Sequence, residues 1–329
     1  MNKWLKTLAL TITALFVVFC GLGITYEQYS RIKAEKNLRP HGELVDVGGH
    51  KLHYYKHGTM GPTVVFESAF DPAGHLQWFH LQKQISSFAT SISYDRAGLM
   101  WSERGSNPKS SKFMAKELHT LLDKSGVSKP YILVGHSLGG AILRSFVADY
   151  QQDVAGIILV DSKHPEEHEY MSPELYDMTN EKLPSGFLKF ANNIGLLRQM
   201  FKGAFPNTPE YDYQNTLVPA LLYKSADAIL EEQDMMPLLY EEASNIKSFG
   251  DIPLIVLSAT DKNRYDELFG DDKLKNELID ALAEMQKNQL KLSSQSEQIL
   301  VPNSGHYINE DRPEVIVDAI KRMISKNNN

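Results

Sequence analysis

The sequence predicts an α/β fold: a mostly parallel sheet flanked by helices, with a helical insertion and an N-terminal transmembrane helix. Three observations predict it. Short apolar, β-branched runs alternate with segments of helical period, the pattern of parallel strands joined by crossover helices. Residues 164–250 break that alternation and contain no strand-like run. Ahead of everything, residues 8–24 form an almost uninterrupted apolar run, close to the length that crosses a bilayer.

Taken in order, Lys3 and Lys6 precede the apolar run, and Trp4 and Tyr26 stand at its edges, where amphipathic rings favour the membrane interface. A basic start also suits a cleavable signal peptide. No small-x-small cleavage site follows, however, and the bulky Phe19 before Cys20 argues against lipid attachment there. Residues 1–26 are therefore read as an uncleaved anchor. Lys3 and Lys6 on one side nearly balance Arg31, Lys33, Lys36 and Arg39 on the other, which Glu27 and Glu35 partly offset. The signal-like start places the rest of the chain outside the cytoplasmic membrane. Residues 27–40, charged and ending in Pro40, read as a stalk.

The core is expected in two pieces, 41–163 and 251–329. Strands at 44–47 and 51–57, joined through Gly48-Gly49, make a hairpin that adds antiparallel strands at one edge. Strands at 64–66, 91–94, 131–134 and 156–161 alternate with helical stretches at 75–88 and 113–125. After the insertion come a strand at 253–258, a helix at 272–292, a strand at 298–301 and a closing amphipathic helix at 313–324. An insertion that leaves the carboxyl side of a parallel sheet lies over the ligand site, so 164–250 reads as a cap.

Composition narrows the function. Apolar residues make up 42% of 329, enough for a large core. A net charge of −7 leaves no basic footprint for nucleic acid. The single cysteine, Cys20, lies in the apolar segment, so the globular part has no disulfide framework, cysteine zinc site or cysteine nucleophile. Neither metal spacing nor a phosphate loop appears, and no cofactor is expected. Oligomeric state is not legible.

The chemistry sits in Gly135-His136-Ser137-Leu138-Gly139-Gly140, where an apolar strand stops and a helix begins at once. This is G-x-S-x-G in strand–turn–helix context, a nucleophile elbow. The turn is so tight that residues two before and two after the serine nearly touch. A serine hydroxyl needs a base. His306, in Ser304-Gly305-His306 after the last strand, reaches the same sheet edge. His136 projects away from the serine side chain and reads as a packed histidine, while His164 and His168 are candidates to touch a ligand. The base needs a carboxylate. Asp261 and Asp161 both end strands; Asp261 gives the order Ser…Asp…His and is the first choice, with Asp161 the alternative. For the oxyanion, Leu138 offers one N–H and Phe70 the other, with Ala69 next in line.

These motifs, with Tyr94-Asp95-Arg96-Ala97-Gly98-Leu99-Met100-Trp101-Ser102, resemble the α/β-hydrolase superfamily over about residues 43–325, nearest its capped esterase- and lipase-like serine hydrolases. The resemblance implies Ser137 as nucleophile, His306 as base and an acid at Asp261 or Asp161, with Asp95 and Arg96 holding the loop beside the site. Ser68-Ala69 replaces the family's His-Gly, and Met100 a glycine. Related dehalogenases and epoxide hydrolases carry aspartate at the elbow. The expected activity is carboxylic ester hydrolysis of a small, apolar substrate by a membrane-anchored enzyme of the carboxylesterase class (EC 3.1.1). An amidase or peptidase, or a non-catalytic signalling module of the same fold, is the alternative.

Overall fold

The computed structural model describes residues 3–266, 269 and 272–327. Among these, eight strands form one sheet: β1 (Glu43–Asp46), β2 (Lys51–His57), β3 (Thr63–Glu67), β4 (Thr90–Tyr94), β5 (Tyr131–His136), β6 (Val154–Val160), β7 (Leu254–Ala259) and β8 (Ser296–Val301). Their order is β1-β2-β4-β3-β5-β6-β7-β8. The first hairpin is antiparallel and sits at one edge, with β2 antiparallel to β4; every pair from β4 onward is parallel.

The central strands read as continuous apolar runs because both their faces are covered. Alternate residues go to opposite sides. Val65, Leu133, Leu159 and Val256 pack with α3 (Ser111–Ser125) and α4 (Leu138–Tyr150). Phe66, Val134, Ile158 and Ile255 pack with α2 (Phe79–Ile85) and α11 (Pro313–Asn327). The stretch expected as one helix over 75–88 starts as a 3₁₀ turn, Gly74–Trp78, before α2. Similarly, α9 (Asp272–Asn288) tightens into a 3₁₀ turn at Gln289–Leu292, and α10 (Ile308–Asp311) is a single turn ahead of α11.

Between β6 and β7 lies the helical cap: α5 (Pro173–Thr179), α6 (Ser185–Asn193), α7 (Leu196–Met200) and the long α8 (Asp212–Ser244). Leu217, Val218 and Leu221 of α8 pack on Leu76 and Met100 beside the sheet's carboxyl edge. At the other end of the chain, α1 (Lys3–Asn37) has the length and apolarity of a bilayer span, or of a signal sequence. The charged segment expected as a free stalk instead continues this helix and docks on the cap. Glu27 is buried there, paired with Arg31 at 2.8 Å and Arg198 at 2.7 Å. The Tyr223 hydroxyl donates to Glu35 at 2.8 Å.

Candidate active site

Ser137 joins β5 to α4 with φ 51° and ψ −118°, a backbone shape a side-chain-bearing residue rarely adopts. Its neighbours enforce it. A Cβ on Gly135 would lie 2.9 Å from the Gly139 carbonyl carbon, and one on Gly139 would lie 2.6 Å from the Glu67 carbonyl oxygen of β3. Only glycine permits both approaches. The Ser137 N–H donates to Val160 O at 3.2 Å, and its carbonyl accepts from Lys163 N at 3.0 Å, so β6 and the chain after it brace the turn.

His306 stands on the loop after β8, which turns through Asn303 at φ 54° and is tied down by Gly305 N–H donating to Asp311 at 2.7 Å. Its Nδ1 lies 2.8 Å from Asp161 Oδ2. A carboxylate only accepts, so Nδ1 carries the proton and Nε2 is left basic. Asp161 itself follows β6 at φ 38°, is buried, and takes a second bond from Ala259 N at 3.1 Å. Ser137 and His306 line one cavity of about 300 Å³ with Phe70, Leu138, Leu183 and Tyr240.

It is thus the alternative, Asp161, and not the first-choice Asp261, whose carboxylate meets His306. Only the backbone N–H of Asp261 reaches the His306 loop, at Ser304 O. Its carboxylate accepts from Asn263 N at 3.0 Å, capping the following 3₁₀ turn. Both aspartates end strands; the positive φ at Asp161 is what turns that side chain to the histidine. His164 Nε2 lies 3.3 Å from Asn288 Oδ1, and His168 lines, with Tyr176, a cavity that shares Asn180, Gln233, Met236 and Tyr240 with the one holding Ser137 and His306.

Two polar networks hold the rim. In the first, Ala69 N–H donates to Gln77 Oε1 at 2.9 Å, Gln77 Nε2 donates to His136 Nδ1 at 2.6 Å, and His136 Nε2 donates to His306 O at 2.8 Å. Burial pushes His136 from the ordinary 6.5 down to about 3, so it stays neutral and keeps this polarity. His136 is packed, as expected, yet it also fixes the backbone of His306. With Ala69 N–H occupied, Phe70 N–H, like that of Asp71, has no acceptor among the described residues. The Leu138 N–H, at the first position of α4, has no intrahelical partner either.

In the second network, the buried Arg96 uses every donor. Nε and Nη2 form a fork on Glu232 of α8 at 2.9 and 2.8 Å; Nη1 donates to Glu67 and to Ser68 O, and Nη2 to Ala69 O at 2.8 Å. Since C=O and N–H of a trans peptide point oppositely, holding the Ala69 carbonyl directs the Phe70 N–H the other way. Burial pushes the Glu67 carboxyl above its ordinary value even with Arg96 beside it, and Tyr94 donates a hydrogen bond to it. Beneath this loop, Asp95 accepts from the rings of His53 and His75, both at 2.8 Å, and from His75 N. Burial opposes its charge, but the two rings hold Asp95 below the usual carboxylate range. Two histidines and a carboxylate are a metal-capable set. Here their facing atoms satisfy one another. Asp95 and Arg96 thus hold the loop, as the family resemblance implies. Glu232, the partner of Arg96, and Gln77, the partner of Ala69 and His136, have no motif of their own, and Glu232 lies 136 residues from Arg96.

The model for the alpha/beta hydrolase fold matches residues 62–313 of the chain. The uncharacterized Bacillus subtilis protein YqjL is 24% identical over 270 residues, which cover 81% of this chain and 85% of YqjL. Among solved structures, a thermophilic esterase from Thermogutta terrifontis aligns with a TM-score of 0.61 at 18% identity, over 87% of this chain and 99% of its own. The Cif epoxide hydrolase from Acinetobacter nosocomialis aligns at 0.65 and 19%, over 91% and 96%. At those identities the structures speak for the fold alone, whereas the family match spans well over half the sequence. The chain belongs to the alpha/beta hydrolase family.

Proposed function

We propose that the protein is a serine hydrolase that cleaves carboxylic esters through an acyl-enzyme. The observation that carries this is the 2.8 Å Asp161–His306 bond beside a strained Ser137 in one cavity. Ser137 Oγ attacks the ester carbonyl carbon while His306 Nε2 takes the hydroxyl proton, and Asp161 stabilises the imidazolium. The oxyanion accepts from Phe70 and Leu138 N–H, groups already fixed by Arg96 and by the start of α4. Collapse breaks the ester C–O bond, and His306 returns the proton to the leaving alkoxide. Water, deprotonated by His306, then attacks the acyl carbon, and Ser137 Oγ leaves with that proton. Serine at the elbow favours this chemistry over epoxide opening, for which the related enzymes carry aspartate. The docked α1 supports an uncleaved anchor, and the signal-like start favours the extracytoplasmic side for the catalytic part.

A fluorophosphonate probe tests the nucleophile. The full chain is expected to label and Ser137→Ala not to; an unlabelled wild-type chain overturns the reading. Nitrophenyl esters set against nitroanilides then decide ester against amide, with faster turnover expected on the esters.

A further inference from the structure

α1 meets the cap along one face, whose residues recur at helical spacing: Phe16, Cys20, Gly23, Glu27, Arg31 and Ala34. Those from Glu27 onward lie past the apolar run, but the first three lie inside it. Phe16 stacks on Phe190 of α6, with ring centroids 6.3 Å apart. Gly23 packs so tightly that a Cβ there would be 2.8 Å from Ile194 O. From Ile24, the end of the run, back to Phe16 is eight residues, about 12 Å of helix. Part of α6 is therefore level with the apolar segment of α1.

α6 is dressed for that level. Leu188 and Ala191 turn inward to the cap, while Phe187, 51% exposed, and Phe190 face outward beside Lys189. Elsewhere on the cap Met178 and Met200 are also bare. One turn before Phe187 comes Leu183, which lines the cavity of Ser137 and His306 and is 40% exposed. An apolar track thus runs from the cavity rim, along α6, to the bilayer span.

We propose that the outer face of α6 is set into the membrane beside α1, and that substrate enters the cavity from the lipid phase as a membrane-partitioned ester amphiphile. The substrate half rests on the serine-hydrolase reading; the docking half does not. A short interfacial helix with aromatic anchors and a flanking cation sits at such a boundary.

The test uses the full chain, with Cys20→Ser, in phosphatidylcholine–phosphatidylglycerol vesicles. Nitroxides are placed singly at Phe187→Cys and Phe190→Cys, with Lys116→Cys on α3 as the aqueous reference. Labels on α6 are expected to collide with oxygen more than with a water-soluble nickel chelate, and the reference label the reverse. Chelate access at both α6 sites overturns the docking. So does protection from both reagents with spin–spin broadening, which identifies a second copy on this face. In the same vesicles, Phe187→Asp with Phe190→Asp should slow hydrolysis of a bilayer-dissolved long-chain ester about tenfold, leaving a water-soluble short-chain ester within about twofold. Equal loss, or no loss, on the two esters overturns entry from the lipid. A wild-type chain that cleaves neither ester overturns the hydrolase reading and the substrate half with it, while the collision ratios still decide the docking.

Discussion

Around Ser137 the polar groups are tied to fixed partners, whereas the cap above leaves Phe187 and Met200 exposed and sets Phe190 against Phe16 of α1. The sheet edge is built by close backbone approach: glycines at the elbow, and loops held by Asp161, Gln77 and Asp95. The cap is built by side chains on amphipathic helices and tied down by contacts that include Arg96–Glu232 towards the site and Glu27–Arg198 towards α1. Chemistry needs positions fixed to a fraction of an ångström, and packed sheet edges supply that. Substrate capture needs surface, and helices offer it.

The largest expected effect would break the contrast at its rigid side. Asp161→Asn should lower ester turnover by about 10⁴-fold, because the histidine loses the acceptor that sets its tautomer. Asp261→Asn, which removes only a turn cap, should leave turnover within about threefold. Steady-state kinetics on one soluble ester decides, and a reversed ranking would return the role to Asp261.

Next comes the joint between the regions. Arg96→Leu leaves Glu67 and Glu232 buried without their cation. Denaturant unfolding should show a loss of about 3–5 kcal/mol. A loss under about 1 kcal/mol would mean that the cap is not held through this network.

The smallest effect separates the two regions by pH. Burial holds His136 at about 3 and His164 at about 4, both below the ordinary 6.5. The unfolded chain therefore takes up protons that the folded chain refuses. Stability is full above pH 6.5 and is lost as pH falls through the window from 6.5 towards 4 for His164 and towards 3 for His136. Each of the two should contribute about 2 kcal/mol to the loss between pH 7 and 5. His136→Gln should flatten the slope; an unchanged slope would assign the acid sensitivity to other groups.

Much of this was legible in the chain. The strands, the elbow at Ser137, the loop of His306 and the cap between β6 and β7 each follow from residues close together in sequence. Phe70 and Leu138 stand out as candidate donors by their place after a strand and at a helix start. The stalk was misjudged because residues 27–37 are charged, and a charged helix reads as solvated until Arg198 and Tyr223 are brought against it. Gln77 and Glu232 gave no signal, being ordinary polar residues on helical segments.

By itself, then, the sequence determined the alternation of elements, the backbone strain at Ser137 and the residue types available for acyl transfer. These are local properties, set by side-chain period and by where glycine is required. The tertiary structure put the Asp161 carboxylate rather than that of Asp261 against His306, coupled Arg96 to a residue 136 positions away, and laid α6 along α1. Those outcomes depend on which way a side chain turns at a strand end and on which distant surfaces close over each other. Neither is encoded in any short stretch of chain.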